Sequence, residues 1–282
     1  MSLSRTGMVD LLETIISAQN EGKWDTLEHL VQPNVVINDN SQQRDVFIAK
    51  LRSDIENQGK SSKLDSCVVD VNAQAITARI IKTQTPPAEK EEERASIIQT
   101  IQYQEITLAW FIDGQLSALK TLQDNDARRA KQHSATATPT HLLENSSPTS
   151  LNLEEMYRGY IKSINDKTME ANFQNFCKPS VTHNTHQKTI PEYISLIKES
   201  QSAIKNLYFD IQDLVVDNES GRVAARLEFT GTPVKEWADA EPNGDSVRFH
   251  EHVMYWLDEG KIHWVWSIVD LDTYRRQLRS GD

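Results

Sequence analysis

The residues best suited to chemistry stand near the C-terminus, in two largely apolar runs, 247–257 and 261–270, joined by Asp258-Glu259-Gly260-Lys261. A two-residue turn at Glu259-Gly260 is the simplest connection, because glycine adopts a positive φ at little cost. The register of that turn sets Leu257 opposite Ile262, Tyr255 opposite Trp264, Val253 opposite Trp266, Glu251 opposite Ile268 and Phe249 opposite Asp270. Side chains alternate along a strand, so all ten are expected on one face of a sheet. Glu251 and Asp270 become diagonal neighbours on a wall of Tyr255, Trp264, Trp266 and Phe249. Such a wall suits an apolar small molecule, and burial beside it raises the pKa of Asp270 towards that of an acid/base working near neutral pH. Arg248, His250, His252, Trp256 and His263 fall on the other face. Plain core packing is the competing account of the aromatic face, and a one-residue bulge would exchange the two faces.

The elements that hold this hairpin occur twice. At a spacing of 146 residues, Pro33 matches Pro179, Val35 matches Val181, Asn38 matches Asn184 and Glu105 matches Glu251. Trp110 matches Trp256, Gly114 matches Gly260, Asp124 matches Asp270 and Arg129 matches Arg275. Apolar positions follow the same offset, Phe47 with Tyr193 among them. One constant offset over so many positions reads as duplication of a domain. The expected boundaries are 5–130 for the first domain and 151–282 for the second. Between them, 131–150 is rich in Ser, Thr and Pro and reads as an extended, exposed connector. Pro86–Glu93 reads as a solvated loop inside the first copy.

Each copy begins with helical periodicity, at 8–20 and 24–31, then 153–164 and 168–176. A short strand follows the shared proline, then a further helix (190–202 in the second copy), and four strands complete the pattern: 207–216, 222–230, 247–257 and 261–270. Helices first and antiparallel strands after give an α+β class, with N-terminal helices packed on one face of a curved antiparallel sheet.

Composition narrows the function. With 38% hydrophobic residues each half can bury a core, and a net charge of −11 argues against nucleic acid or an anionic membrane as partner. No apolar run is long enough to span a bilayer, and the N-terminus lacks the apolar core of a secretory signal. Cys67 and Cys177 follow no metal or disulfide spacing, so a reduced, cytoplasmic protein is expected. Glycine-rich phosphate loops, G-x-S-x-G and H-E-x-x-H are missing, and no cofactor is assigned. His250, His252 and His263 invite a zinc reading, but an interface role is favoured over it and no metal is assigned. Arg79 and Arg226, which repeat, are expected to pair with a strand carboxylate such as Glu228.

The stretch from Val223 to Leu278 resembles the SnoaL-like polyketide cyclases of the nuclear-transport-factor-like superfamily. The matching elements are Arg226-x-x-x-x-Gly231-Thr232, Pro242-x-Gly244, Gly260-Lys261-Ile262, Trp266-x-x-x-Asp270 and Gln277-Leu278, with Val181-Thr182-His183-Asn184 after the second helix. The resemblance implies two tandem cone-shaped domains with a pocket between sheet and helices. It also implies cofactor-free cyclase, isomerase or dehydratase chemistry, and association through the convex face. The acid/base aspartate of the cyclases falls on Asp270. One departure stands out: Thr232-Pro233-Val234 occupies the place where many cyclases have a histidine. Near the expected pocket mouth, His183 and Asn184 could orient a substrate oxygen or share a proton with Asp270. Copy one has Lys120, Ala118 and Ile37 where copy two has Trp266, Trp264 and His183. It is therefore read as a degenerate partner, with Lys120 holding Asp124 ionised.

The resulting expectation is a tailoring enzyme of secondary metabolism that moves a proton on a hydrophobic natural-product intermediate. Asp270 and His183 would be catalytic. Trp266, Trp264, Tyr255, Asn184, Glu251 and Phe249 would bind substrate. An internal pseudo-dimer or a homo-oligomer is compatible with the repeat. The alternative is a non-catalytic binding or assembly module with the same pocket.

Overall fold

A computed structural model describes residues 2–85, 100–144 and 151–279. The loop expected at Pro86–Glu93 lies outside them. The chain divides into two compact units, Met1–Pro139 and Thr140–Asp282.

The first unit runs α1 (Arg5–Asn20), α2 (Trp24–Leu30), β1 (Val31–Ile37), β2 (Asn40–Gln43), α3 (Arg44–Gln58), β3 (Lys60–Asp70), β4 (Ala75–Gln84), β5 (Ile101–Ile112), β6 (Gln115–Gln123) and α4 (Asn125–Arg129). The second begins with α5 (Thr140–Glu144). It then repeats that order as α6 (Leu153–Asn165), α7 (Met169–Phe176), β7 (Cys177–His183), β8 (His186–Thr189), α8 (Ile190–Ala203), β9 (Ile204–Asp217), β10 (Arg222–Pro233), β11 (Val247–Asp258), β12 (Lys261–Val269) and α9 (Leu271–Leu278). The sheets have corresponding strand orders, β2-β1-β6-β5-β4-β3 and β8-β7-β12-β11-β10-β9. Both are open α+β arrangements. They are mixed rather than wholly antiparallel, because β1 and β7 enter from the helical layer and lie parallel to β6 and β12. No helix among the described residues is long and apolar enough to cross a membrane.

The helices of the second unit form where their apolar residues recur at three and four residues. On α6, Leu153, Tyr157, Tyr160, Ile161 and Ile164 are buried together, and Asn152 caps the N-terminus by accepting from the Glu155 N–H. At the start of α8 the Glu192 carboxylate accepts from the Thr189 N–H and hydroxyl. The inner sheet face supplies Val223, Ala225, Leu227 and Phe229 from β10, then Phe249, Val253, Tyr255 and Leu257 from β11. Each fully buried side chain of this size contributes roughly 1.5–3 kcal/mol.

Several repeated residues now have a structural use. Asn38 and Asn184 both sit at positive φ in the turn after the short strand. The Asn184 carboxamide accepts from the Ser267 N–H and donates to the Ser267 carbonyl, fastening β7 to β12. Asn38 makes the corresponding bond to the Thr121 N–H. Arg79 pairs with Asp65 at 2.7 Å, and Arg226 with Asp213 at 3.6 Å rather than with Glu228, whose neighbours are Arg248 and His250.

The Ser/Thr/Pro stretch has no helix or strand over 133–139 and is mostly exposed, but it is fastened at points along its length. Thr138 donates from its N–H and its hydroxyl to the Asp65 carboxylate, and the Thr136 carbonyl accepts from Arg79. Residues 140–144 then form α5, whose Leu142 carbonyl accepts from Arg222 and from the Trp256 indole. Low apolar content hid these contacts because they are polar ones, made to buried arginine, aspartate and tryptophan groups. Residues 145–150 lie outside the described residues.

Gly231, in the Gly-Thr motif, sits where the β10–β9 register shifts. A Cβ there would lie 2.6 Å from Ile204 Cγ2 and 3.0 Å from the Lys205 carbonyl oxygen. Gly231→Ala is therefore expected to lower stability by roughly 1–3 kcal/mol through overpacking, measured by denaturant unfolding.

Candidate active site

The hairpin decides which side chains can meet. Its turn is as expected, with Glu259 and Gly260 at φ 50° and 72°. Directly beyond Leu257 opposite Ile262, however, the register shifts by one residue. Trp256 then faces Trp264, Tyr255 faces Val265, Met254 faces Trp266 and His252 faces Ile268. The same shift occurs in the first unit between Trp110 and Phe111. An extra residue in one strand transfers every later side chain to the other face. Trp264 and Trp266, expected in the pocket wall, thus share the outer face with Trp256, Met254 and His252. Alternation could not reveal this, because both faces of β12 are apolar.

Asp270 is also placed differently. It closes β12 through its N–H to the His250 carbonyl, and its carboxylate accepts from the Thr273 N–H at 3.0 Å as the N-cap of α9. Asp124 caps α4 in the same way, through the Ala127 N–H at 2.9 Å. The repeated aspartate thus begins a helix in both units. Lys120, expected beside Asp124, pairs with Asp39 at 2.9 Å and lies over the Trp110 ring.

On the inner face of the second sheet lies a cavity of about 230 Å³ between β10, β11 and β12 and the helices α6 and α8. Its polar groups include Glu251, Ser267, His183, Tyr255, Tyr160 and Tyr193, set among Leu227, Phe229, Phe209, Trp237, Val265 and Val269. Three residues named from sequence, Glu251, Tyr255 and His183, therefore do converge. Phe249 stands behind the wall, edge-on to Phe229 at 5.2 Å and to Tyr274 at 5.1 Å. Asn184 spends both amide atoms on the backbone of Ser267 and so positions that residue.

Glu251 is the electrostatic centre. It lies between Leu227 and Val269 on the neighbouring strands, with Phe229 diagonal to it. Burial pushes its carboxyl up to about 7, against the smaller opposing effect of the Ser267 hydroxyl, which donates to Oε1. The order is Asn184 holding Ser267, and Ser267 holding Glu251. Burial acts oppositely on His183, lowering its ring to about 4, with Lys188 and His186 adding to the effect. The imidazole is neutral at physiological pH, and its ring centroid lies 5.8 Å from that of Tyr193. Tyr160 and Tyr193 share a hydrogen bond of 3.0 Å.

The first unit shows the same position disarmed. Its cavity, of about 150 Å³, contains Glu105. Lys82 lies 3.3 Å from the Glu105 carboxylate, Gln123 donates to it at 2.7 Å, and the Thr107 hydroxyl donates at 3.3 Å. Lys82 and Gln123 stand where the second unit has Phe229 and Val269.

Tyr160, Tyr193 and Ser267 were not among the residues singled out from sequence. Tyr193 stands opposite Phe47 among the apolar positions of the repeat. A signal was present all the same, a hydroxyl gained at an otherwise apolar repeat position.

Residues 154–278 match the SnoaL-like polyketide cyclase family. A SnoaL-like polyketide cyclase from Agrobacterium tumefaciens strain C58 is 33% identical over 45% of this chain and 98% of its own, with a TM-score of 0.43. TsrD from Streptomyces laurentii is 19% identical over 46% of this chain and 96% of its own, with a TM-score of 0.41. IdmH from Streptomyces antibioticus is 18% identical over 46% of this chain and 100% of its own, at a TM-score of 0.41. No curated protein matches the chain. The chain belongs to the SnoaL-like polyketide cyclase family, through its second unit.

Two outcomes follow from the site. The folded Glu251 carboxyl, at about 7, lies above the ordinary 4.5, so between those values the folded state holds a proton that the unfolded state has released. The associated stability is complete below the lower value and is lost as pH rises through the higher one. Glu251→Gln removes this titration. The variant should gain on the wild type as pH rises across that window, by up to roughly 3 kcal/mol, in denaturant unfolding at a series of pH values. A pH-independent difference would contradict the raised carboxyl. Separately, Asp270→Asn should leave stability nearly unchanged because asparagine caps as well, whereas Asp270→Ala should lose about 1 kcal/mol.

Proposed function

We propose that the second unit is a cofactor-independent proton-transfer enzyme of the cyclase, isomerase or dehydratase type. Its substrate is a compact, largely apolar, enolisable intermediate of natural-product biosynthesis. Membership of the SnoaL-like polyketide cyclase family supports a tailoring role of this kind. The observation that carries the reading is Glu251, a carboxylate on the floor of an apolar cavity with a pKa of about 7. A group poised there both accepts and returns a proton at physiological pH, and such catalysis contributes typically ~10²–10⁴-fold. Glu251 takes the proton role that the sequence assigned to Asp270, and neutral His183 offers a ring nitrogen to a substrate oxygen. The cavity is smaller than the ~300–1,000 Å³ of sites that engulf drug-sized ligands, so one ring or a short chain fits at a time.

The first unit is, in this reading, a duplicated partner that has lost the acid/base. The Lys82 ammonium and the Gln123 amide occupy the Glu105 carboxylate, which in the second unit faces apolar neighbours.

The test is solvent-deuterium exchange into a panel of one-ring ketones, followed by NMR. The wild type should accelerate exchange into at least one member. Glu251→Gln should reduce that acceleration by about 100-fold or more, and Glu105→Gln should leave it unchanged. Binding of panel members without accelerated exchange would favour the alternative, a binding module without turnover.

A further inference from the structure

The cavity of the first unit is charged where that of the second is apolar. The exchanges at Lys82 and Gln123 extend round its wall. Lys50 and Asp54, one turn apart on α3, and Ser62, opposite Lys82 on β3, stand where the second unit has Leu196, Ser200 and Phe209. Lys60 lies two residues from Ser62, on the same face of β3 and diagonal to Lys82. Its ammonium is 3.5 Å from Asp54. The Lys82 ammonium is 3.3 Å from Glu105 and donates to the Ser62 hydroxyl at 2.9 Å.

These charges lie inside the fold: the Lys60, Lys82 and Glu105 side chains are 10%, 12% and 7% exposed. Withdrawing them from water costs free energy that pairing offsets incompletely, and apolar side chains of similar volume stabilise as well or better. The wall of the second unit shows that this topology accepts apolar residues at the same positions. The space nevertheless stays open, at about 150 Å³. A cavity of about that size takes up one benzene ring. Interior charge and open space in one place suit a bound molecule better than they suit packing.

The lining defines the chemistry of that molecule. Among the described residues the wall carries three lysines, Lys50, Lys60 and Lys82, against two carboxylates, Asp54 and Glu105, in a chain whose net charge is −11. One further negative charge balances it. An ammonium has three N–H groups, so Lys82 can hold a ligand oxygen while it keeps Ser62 and Glu105. Much of the remaining wall is apolar, with Leu12, Ile16, Phe47 and Leu116. We propose that the first unit is a binding site for a small monocarboxylate with a one-ring apolar body, its carboxylate held by Lys60 and Lys82 and its ring set among those apolar side chains. The site stands independently of Glu251 and of any turnover in the second unit.

The probe is benzoate, titrated into the full chain by calorimetry, with benzamide as its neutral counterpart. The wild type should bind benzoate, and benzamide about tenfold or more weakly, the scale of a hydrogen bond to a charged group. Lys60→Met and Lys82→Met should each weaken benzoate binding by about the same factor, with thermal unfolding showing the variants folded. Should Lys82→Met fail to fold because Glu105 is left uncompensated, Lys82→Met combined with Glu105→Gln restores neutrality, and its affinity is compared with that of Glu105→Gln alone. Glu105→Gln should bind benzoate at least as tightly as the wild type, because a like charge is removed. The second cavity also has room for one ring, so the lysine variants decide which cavity benzoate occupies. Benzoate binding that neither lysine substitution weakens overturns the proposal. So do equal affinity for benzamide, weaker binding in Glu105→Gln, and no binding at millimolar benzoate. None of these results touches the Glu251 reading, which fails on a different measurement: deuterium exchange that survives Glu251→Gln.

Discussion

The second unit is organised around one carboxylate that its surroundings do not neutralise. Glu251 stands on the inner face of β11, flanked by Leu227 and Val269, and accepts a hydrogen bond from the Ser267 hydroxyl. An ionised carboxylate in such a place is expensive, and the free energy of desolvation appears as a carboxyl that holds its proton up to about pH 7. Much of the surrounding structure makes that arrangement persist. The Asn184 carboxamide locks the backbone of Ser267, Ser267 orients the carboxylate, and the aromatic cluster of Phe209, Phe229, Phe249, Trp237 and Tyr274 closes one end.

The two units form a natural comparison, since the same strand order carries a glutamate at the same register. In the first unit an ammonium and an amide satisfy the glutamate, and polar side chains line much of the cavity. In the second, phenylalanine and valine replace them. The Thr107 hydroxyl, a third partner of Glu105, is likewise replaced by an apolar side chain, Val253.

The repeated residues divide along the same line. Asn38 and Asn184 fasten the parallel strand pair, Asp124 and Asp270 start a short helix, and Gly114 and Gly260 make the hairpin turn. Each solves a backbone problem that arises wherever this topology is built. The glutamate repeats as well, as Glu105 and Glu251, and what differs is its surroundings, with Phe229 and Val269 of the second unit in the places of Lys82 and Gln123.

By itself, the sequence determined the α+β class, the doubled organisation, the order of helices and strands, the hairpin turn, and the common face of Glu251 and Tyr255. Those features follow from local signals: periodicity, turn residues and a constant offset between halves. Tertiary structure alone decided the face on which each β12 side chain lies. A single extra residue after Ile262 moved Trp264 and Trp266 outward, and β12 is apolar on both faces, so no alternation in the sequence could show it. It also decided that Asp270 caps a helix, because an aspartate before an amphipathic segment and an aspartate beside a pocket look alike until the chain direction is known. The raised carboxyl of Glu251 depends on the residues of two neighbouring strands and two helices closing over it, and desolvation of that kind belongs to the packed assembly rather than to any stretch of sequence.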